Sequence, residues 1–514
     1  MIEEKVYSSI CPGCGLGCGL YIREKVEPTG DKTKPELSVD FRKNAPVNAG
    51  KLCRFGMNLP IYYGKIPNSK VKGKKSSLKE AIAAAAKALK AASKENMAFL
   101  SVGMSTNEEQ LAFSALAKTF SCPVETGMEI YAAFPETVHK ALGYGTGLEE
   151  IEASKQVFLF IDPYVSYPLV LRRVLKAKRK GAKVTAVGPK SLPLADENLS
   201  LEPAEYGKSL APTQASILLS DLHPYSDPTQ IKAILELAET SGAKLLFLRP
   251  FVNSKGATRL AKHTKQRSFE KLLKALEAGE IKTLFCLDSD LSELSLDPKR
   301  VKKALSNLDT LIVQASRSSP LTEFADIVIG AEPFYQKKGS VLNAEGRLLK
   351  TGGDSILGFK ALAELAKALG KEGLDFAQVQ KKAFSSFGLS EPDEFKPEKA
   401  KPISCGNFEL RAGFEKKEKP KNTKKEEQTQ KAHFSYNFTP FMWQGLEDDC
   451  NFVELNIRLV QKLGLSKGGS LNLKTPDGET QMRFKVSALA EGVVLSEKKI
   501  KGLVLPRDEV ELSR

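Results

Sequence analysis

Five short apolar runs, Val157–Ile161, Lys183–Val187, Lys244–Leu248, Thr283–Leu287 and Thr310–Gln314, recur along the chain with helix-length amphipathic segments between them. A strand covered on both faces has no solvent side to make polar, so it reads as a continuous run rather than an alternation. Runs joined through helices are crossover-connected and therefore parallel. The middle of the chain is thus expected to be α/β and doubly wound. A sixth strand, Met97–Val102, follows an Ala-rich helix over Leu78–Ala92, whose start is marked by Ser77 with Glu80 three residues on, a capping box. The stretch from 65 to 397 exceeds what one hydrophobic core organises, which predicts two sheets.

Both ends depart from this rhythm. Residues 1–64 are rich in Gly and Pro around four cysteines, with one strand-like segment at Gly19–Ile22. Between 398 and 432 the pattern fails. Eleven of the seventeen residues from Glu415 to Lys431 are Lys or Glu, the composition of a solvated linker. From 433 to 514, short segments at Ser470–Lys474, Gln481–Ser487 and Gly492–Ser496 are separated by turn residues such as Pro476-Asp477-Gly478, which predicts a small β-barrel.

The cysteines carry the chemistry. Cys11, Cys14, Cys18 and Cys53 are spaced Cys-x2-Cys-x3-Cys-x34-Cys, with glycine at 13, 15, 17 and 19. A cubane cluster takes one thiolate per iron, and three ligands on a tight loop plus one remote ligand supply four. Glycines let that loop turn sharply and aim N–H groups at sulfur. A [4Fe-4S] cluster is the expectation. Structural zinc and a redox-active Cys-x2-Cys are the competing readings; zinc sites use two Cys-x2-Cys or Cys/His pairs, and a redox pair leaves the other two cysteines without a task. Cys122, Cys286, Cys405 and Cys450 are scattered and read as small apolar residues. His139, His223, His263 and His433 form no ligand spacing, and only His139 retains a functional interest.

A net charge of +15 comes from 77 basic against 62 acidic residues spread along helices, a solvated surface rather than a nucleic-acid site, since no aromatic residues interleave with it. The start, Met1-Ile2-Glu3-Glu4-Lys5, lacks the basic and apolar parts of a secretory leader, and no run is long enough to span a bilayer. A cytoplasmic location is expected.

At these cysteines the chain resembles the molybdopterin oxidoreductase superfamily, which includes formate and formylmethanofuran dehydrogenases and the large peripheral-arm subunit of bacterial NADH-quinone oxidoreductase (complex I). Pro46-Val47-Asn48 before the fourth cysteine, and Leu100-Ser101-Val102-Gly103 with Thr106-Asn107-Glu108-Glu109, are similar to family segments. So are Ala325–Ile329, Lys338–Arg347 with its Asn343-Ala344-Glu345-Gly346-Arg347, and Val453–Asn456 with Lys462–Gly469. The resemblance implies a 4Fe-4S domain over 1–64, an α/β core of two subdomains over 65–397, a linker over 398–432 and a dinucleotide-binding-like barrel over 433–514.

Three departures bear on catalysis. Active members hold molybdenum or tungsten in a loop expected here at Met128–Val138, which offers no ligand at the expected position, and Cys122 lies too early. Phe55 stands where a lysine links cluster to pterin, with Arg54 beside it, and an aromatic ring donates no hydrogen bond. Ile161-Asp162-Pro163-Tyr164 replaces a Gly-rich nucleotide loop. With Asn253–Ala257, which is similar to a segment of the complex I subunit, these imply an electron-transfer or structural subunit of a complex I-like NADH-quinone oxidoreductase, lacking the usual N-terminal ferredoxin-like region. Molybdopterin guanine dinucleotide is not expected, the chain alone is not expected to be catalytic, and its implied partners are other Fe-S and flavin subunits at the inner face of the membrane. The alternative is a catalytic molybdenum or tungsten enzyme of the formate or formylmethanofuran dehydrogenase type.

Overall fold

A computed structural model describes residues 3–26, 36–64, 66–261, 267–371, 373–411, 430–446, 452–466, 468–475, 478–500 and 509–514. Cys450, His263, Pro476-Asp477 and most of the expected linker, 412–429, lie outside them.

The N-terminal unit is an antiparallel meander of β1 (Glu3–Ile10), β2 (Gly19–Val26) and β3 (Glu36–Phe41), followed by two short helices, α1 (Arg54–Met57) and α2 (Leu59–Tyr63). Ile10 faces Gly19 across the β1–β2 pair, so the eight residues between them close the hairpin that carries three of the cysteines.

The core strands are β4 (Lys70–Val71), β5 (Lys74–Lys75), β6 (Met97–Leu100), β7 (Val124–Glu125), β8 (Gln156–Leu159), β9 (Lys183–Val187), β10 (Glu197–Leu199), β11 (Ser216–Asp221), β12 (Lys244–Leu248), β13 (Thr283–Leu287), β14 (Thr310–Ala315) and β15 (Ile327–Gly330). They form two sheets. One has the order β10-β9-β8-β11-β12, the other β5-β4-β15-β14-β13-β6-β7, with β4 and β5 antiparallel at its edge. The helix after β5 is α3 (Leu78–Ala91), and the expected capping box forms: Ser77 Oγ accepts from the Glu80 amide, while the Glu80 carboxylate accepts from the Ser77 amide. The next helix, α4 (Asn107–Thr119), has the same device in Thr106 and Glu109.

The strand order reverses between β8 and β11 in one sheet and between β6 and β13 in the other. Open α/β sheets bind ligands in the crevices at the carboxyl ends of such switch points. A hairpin of β16 (Ser340–Leu342) and β17 (Leu348–Lys350) then carries Asn343–Arg347 on its turn, where Gly346 takes φ 75°.

The chain ends in a closed barrel of β18 (Gln430–Tyr436), β19 (Phe452–Leu455), β20 (Ser470–Thr475), β21 (Gly478–Val486), β22 (Val493–Ser496) and β23 (Glu509–Ser513). One apolar core runs unbroken from Ile10 and Leu20, through Val157 and Leu218, to Phe434 and Val494 in the barrel. Among the described residues no helix is long and apolar enough to cross a membrane.

Candidate metal centre

The cysteine hairpin is held from several sides. The Cys11 amide donates to Cys18 O at 2.8 Å, closing the loop, and Gly17 makes its turn at φ 65°. The Gly15 amide donates to Arg249 O, the Ala344 amide to Gly15 O, both at 2.7 Å, and Asn343 Nδ2 to Leu16 O at 2.8 Å. The tip of the hairpin is therefore fixed to the carboxyl end of β12 and to the β16–β17 turn. Cys53 arrives separately, as the residue capping α1. Asn48 sets its position: its side chain accepts from the Gly19 amide and donates to the carbonyls of Gly19 and Lys51.

Cys11, Cys14, Cys18 and Cys53 line one hollow of about 390 Å³, mouth included, walled on its other sides by apolar groups such as Leu16, Tyr167 and Leu169. Among the described residues no three His, Cys, Asp or Glu side chains converge closely enough to hold a single metal ion. Four thiols on one hollow can supply one thiolate to each iron of a cubane. Burial pushes the Cys14 thiol up to about 12 and those of Cys11 and Cys18 well above their usual range, with the neighbouring cysteines adding to the rise. Four thiolates in this pocket need metal cations among them. The residues fit a [4Fe-4S] cluster.

Phe55 forms one wall. A Cβ on Gly13 would lie 2.2 Å from Phe55 Cδ1, so the ring occupies space that only glycine leaves open. It continues into a cluster of tilted and edge-on rings with Tyr62 and Phe441. Arg54 points away from the hollow, over the Phe441 ring, and lines an open groove that also exposes Cys53, Ile61 and Tyr164.

The remaining sequence-derived residues are spread through the fold. Cys122 sits half-buried near the amino end of β6, 3.6 Å from Lys94 O, at the opposite end of the strands from the switch-point crevice. Cys286 is buried in β13, and Cys405 is half-buried beside Glu239. His139 is buried with Nε2 3.1 Å from Phe134 O, His223 packs on Phe438 and Trp443, and His433 is exposed on β18. The segment expected to ligate molybdenum forms two short helices, α5 (Glu129–Ala133) and α6 (Glu136–Leu142), with Ile130 to Phe134 buried.

The crevice at one of the two switch points is covered by the chain itself. At β8, Asp162 accepts from Asn437 Nδ2 at 3.1 Å, and Lys190 lies between Asp162, Glu454 and Glu497, which fastens the barrel over the strand ends. At β6–β13 a crevice of about 460 Å³ remains, lined by Asp288, Asp290 and Glu293 with Arg317 paired to Glu293. Its charges are already committed, Asp288 to Lys337 and Glu293 to Arg317, so among the lining residues no cation is left for a pyrophosphate. As it stands, this lining does not fit a pair of pterin dinucleotides.

Several buried charges had no sequence signal of their role. Arg249, Lys255, Lys337 and Arg347 are each about 1% exposed, and each meets partners far along the chain. Arg249 donates to Tyr131 Oη and Leu142 O, Lys337 to Glu109 and Asp288, and Arg347 to the carbonyls of Glu394 and Phe395.

The order of units, an N-terminal cysteine-bearing domain, two largely parallel sheets and a closed C-terminal barrel, is consistent with the molybdopterin oxidoreductase fold. Residues 4–62 match the molybdopterin oxidoreductase Fe4S4 domain. Over 225 residues the chain is 29% identical to the F420-dependent formate dehydrogenase 2 subunit alpha of Methanococcus maripaludis, covering 40% of this chain and 32% of that protein. It is 26% identical over 207 residues to the F420-dependent formate dehydrogenase subunit alpha of Methanocaldococcus jannaschii, covering 37% and 29%. The matches thus span about a third of these relatives. In structure it is similar to acetylene hydratase from Pelobacter acetylenicus, with a TM-score of 0.56, 13% identity, and 95% and 92% of the two chains covered; at that identity the likeness concerns the fold. The expected assignment to the large peripheral-arm subunit of complex I is corrected by these relatives, whose names are those of formate dehydrogenases.

Proposed function

We propose that this chain is a subunit of an oxidoreductase of the formate dehydrogenase type, carrying a [4Fe-4S] cluster on Cys11, Cys14, Cys18 and Cys53. The observation that carries it is the single hollow that these four thiols share. The Fe4S4 domain match and the names of the archaeal relatives support the reading. When bound, the cluster supplies one-electron storage. Oxidation of formate to carbon dioxide releases two electrons and one proton, so a single cluster needs an onward acceptor. The groove at Cys53, with exposed Ile61 and Tyr164 and the cation of Arg54, is the proposed electron port to a partner protein.

A second reading, formate oxidation at a molybdenum or tungsten pterin on this chain itself, is favoured by the relatives' names; the crevice at β6–β13, whose lining leaves no cation for a pyrophosphate, counts against it. Anaerobic isolation with metal and pterin analysis tests both. The first reading expects about four irons per chain and a reduced-state EPR signal that formate induces only when partner proteins are present. Stoichiometric molybdenum or tungsten with pterin establishes the second. A chain that retains no iron after anaerobic reconstitution refutes both.

A further inference from the structure

Lys255 is a full-length cation in the interior. Its Nζ donates to Glu398 Oε2 at 2.8 Å and lies 3.4 Å from Ala344 O. Two glycines make the space: a Cβ on Gly145 would lie 2.3 Å from Nζ, and one on Gly346 would lie 3.3 Å from Nζ and 2.5 Å from Glu398 Cβ. Burying an ammonium is unfavourable unless a counter-charge comes with it. Burial, with Arg259 and Arg249 adding, brings Lys255 down to about 8 against the pull of Glu398.

The carboxylate on Lys255 comes from a segment with no helix or strand of its own. Residues 392–398 lie over the β16–β17 turn as a strap, tied by Arg347 to the carbonyls of Glu394 and Phe395, by Arg42 to the Glu394 carboxylate and by the Glu398 amide to Glu345 O. Phe395 is exposed, and the Glu398 side chain is itself 13% exposed, so the strap is reached from solvent. Arg259 Nη2 stands 3.9 Å from the other Glu398 oxygen. A second, independent observation concerns Arg249, whose Nη1 is buried with no partner among the described residues. Its other nitrogen reaches Tyr131 on α5. Arg249 thus keeps one buried N–H donor unused within electrostatic reach of Lys255.

We propose that Lys255, with Arg259, forms a seat for a small carboxylate, closed in this chain by Glu398 acting as an internal plug that an incoming carboxylate displaces. The choice of formate as first probe rests on the formate dehydrogenase-type reading; the seat itself does not. A tethered carboxylate competes at an effective concentration in the millimolar range, so the plug is strong enough to close the seat and weak enough to yield to millimolar ligand.

The test is hydrogen exchange on the whole protein in sodium formate, sodium acetate, sodium phosphate and sodium chloride at equal ionic strength. Faster exchange of the Glu394, Phe395 and Glu398 amides in formate or acetate than in chloride is expected, and Lys255→Met should abolish the difference. Glu398→Gln, which keeps shape and removes charge, should strengthen formate binding by about tenfold or more, measured by NMR line broadening of carbon-13 formate. Identical strap exchange in all four salts, or release by phosphate alone, overturns the proposal. If Glu398→Gln fails to fold, the exchange experiment on the unaltered chain decides. Acetate release without formate release keeps the seat and counts against formate as its ligand. Iron content is read separately, so a failed cluster assignment is distinguishable from a failed seat.

Discussion

Lys337→Met is the perturbation whose consequence the structure defines most closely. Lys337 Nζ donates to both oxygens of Glu109, at 2.7 and 2.9 Å, and to Asp288 Oδ2 at 2.9 Å, with all three side chains nearly or fully buried. Glu109 is also the reciprocal half of the α4 capping box, accepting from the Thr106 amide and hydroxyl. Burial pushes Glu109 up to about 7, and Asp288 and Glu332 add to the rise despite the lysine. Methionine fills similar volume but leaves two carboxylates facing each other out of water. Removing one partner of such a buried pair costs about 3–5 kcal/mol, and each kcal/mol is worth roughly 2–4 °C in a unit of 150–250 residues, so Tm should fall by about 6–20 °C. The pH dependence has a definite sign. Without Lys337 the Glu109 pKa rises further above its unfolded value, so the protonated form supports the fold at low pH and that support is lost as pH rises through 7. Calorimetry should therefore show a larger deficit at pH 8 than at pH 6, with Glu109→Gln in the Lys337→Met background recovering part of it, chiefly at pH 8. A Tm within about 2 °C of the parent, or a deficit equal at both pH values, refutes the reasoning.

Three further outcomes are expected. Cys53→Ala should remove the reduced-state EPR signal and lower bound iron while leaving the circular dichroism of the α/β core in place; an unchanged signal would exclude Cys53 as a ligand. Gly13→Ala places a methyl 2.2 Å from Phe55, an overpacking worth about 1–3 kcal/mol, and should speed cluster loss on dilution, with Phe55→Leu restoring retention if the clash is the cause. Asp221 is raised to about 7 by burial, so the native chain takes up its proton between the unfolded carboxylate range and 7, and stability falls as pH rises through that window. Asp221→Asn should flatten the dependence of Tm on pH between about 5 and 7, and equal slopes in parent and variant would rule out this group as the source.

The parts of this molecule that were legible from its residues are those whose cause is local. β9, β12 and β13 occupy the expected residues because strands buried on both faces write their burial directly into an apolar run. α3 begins where Ser77 and Glu80 satisfy each other's amides, a contact made within four residues. The cysteine hollow was visible for the same reason: three ligands fall on one hairpin, and Asn48 brings the fourth to its base. Residues 398–411 misled because composition averages over a stretch. The charged run beyond them reads as linker, yet Ile403, Phe408 and Leu410 are buried, and the Arg411 amide donates to Ala133 O. The functional expectation failed by a related route, since absent ligands in one loop say what a site lacks and not which relative the chain descends with. Lys255, Lys337 and Arg347 mark the physical limit. Their carboxylate partners include Glu398, Glu109 and Glu149, up to 228 residues away, and a lysine bound for the interior is written with the same letter as one bound for water. Charge carries no address along the chain; only the folded packing that desolvates Lys255 separates it from the many lysines that cover the surface, and that desolvation is what makes its single plug a testable seat.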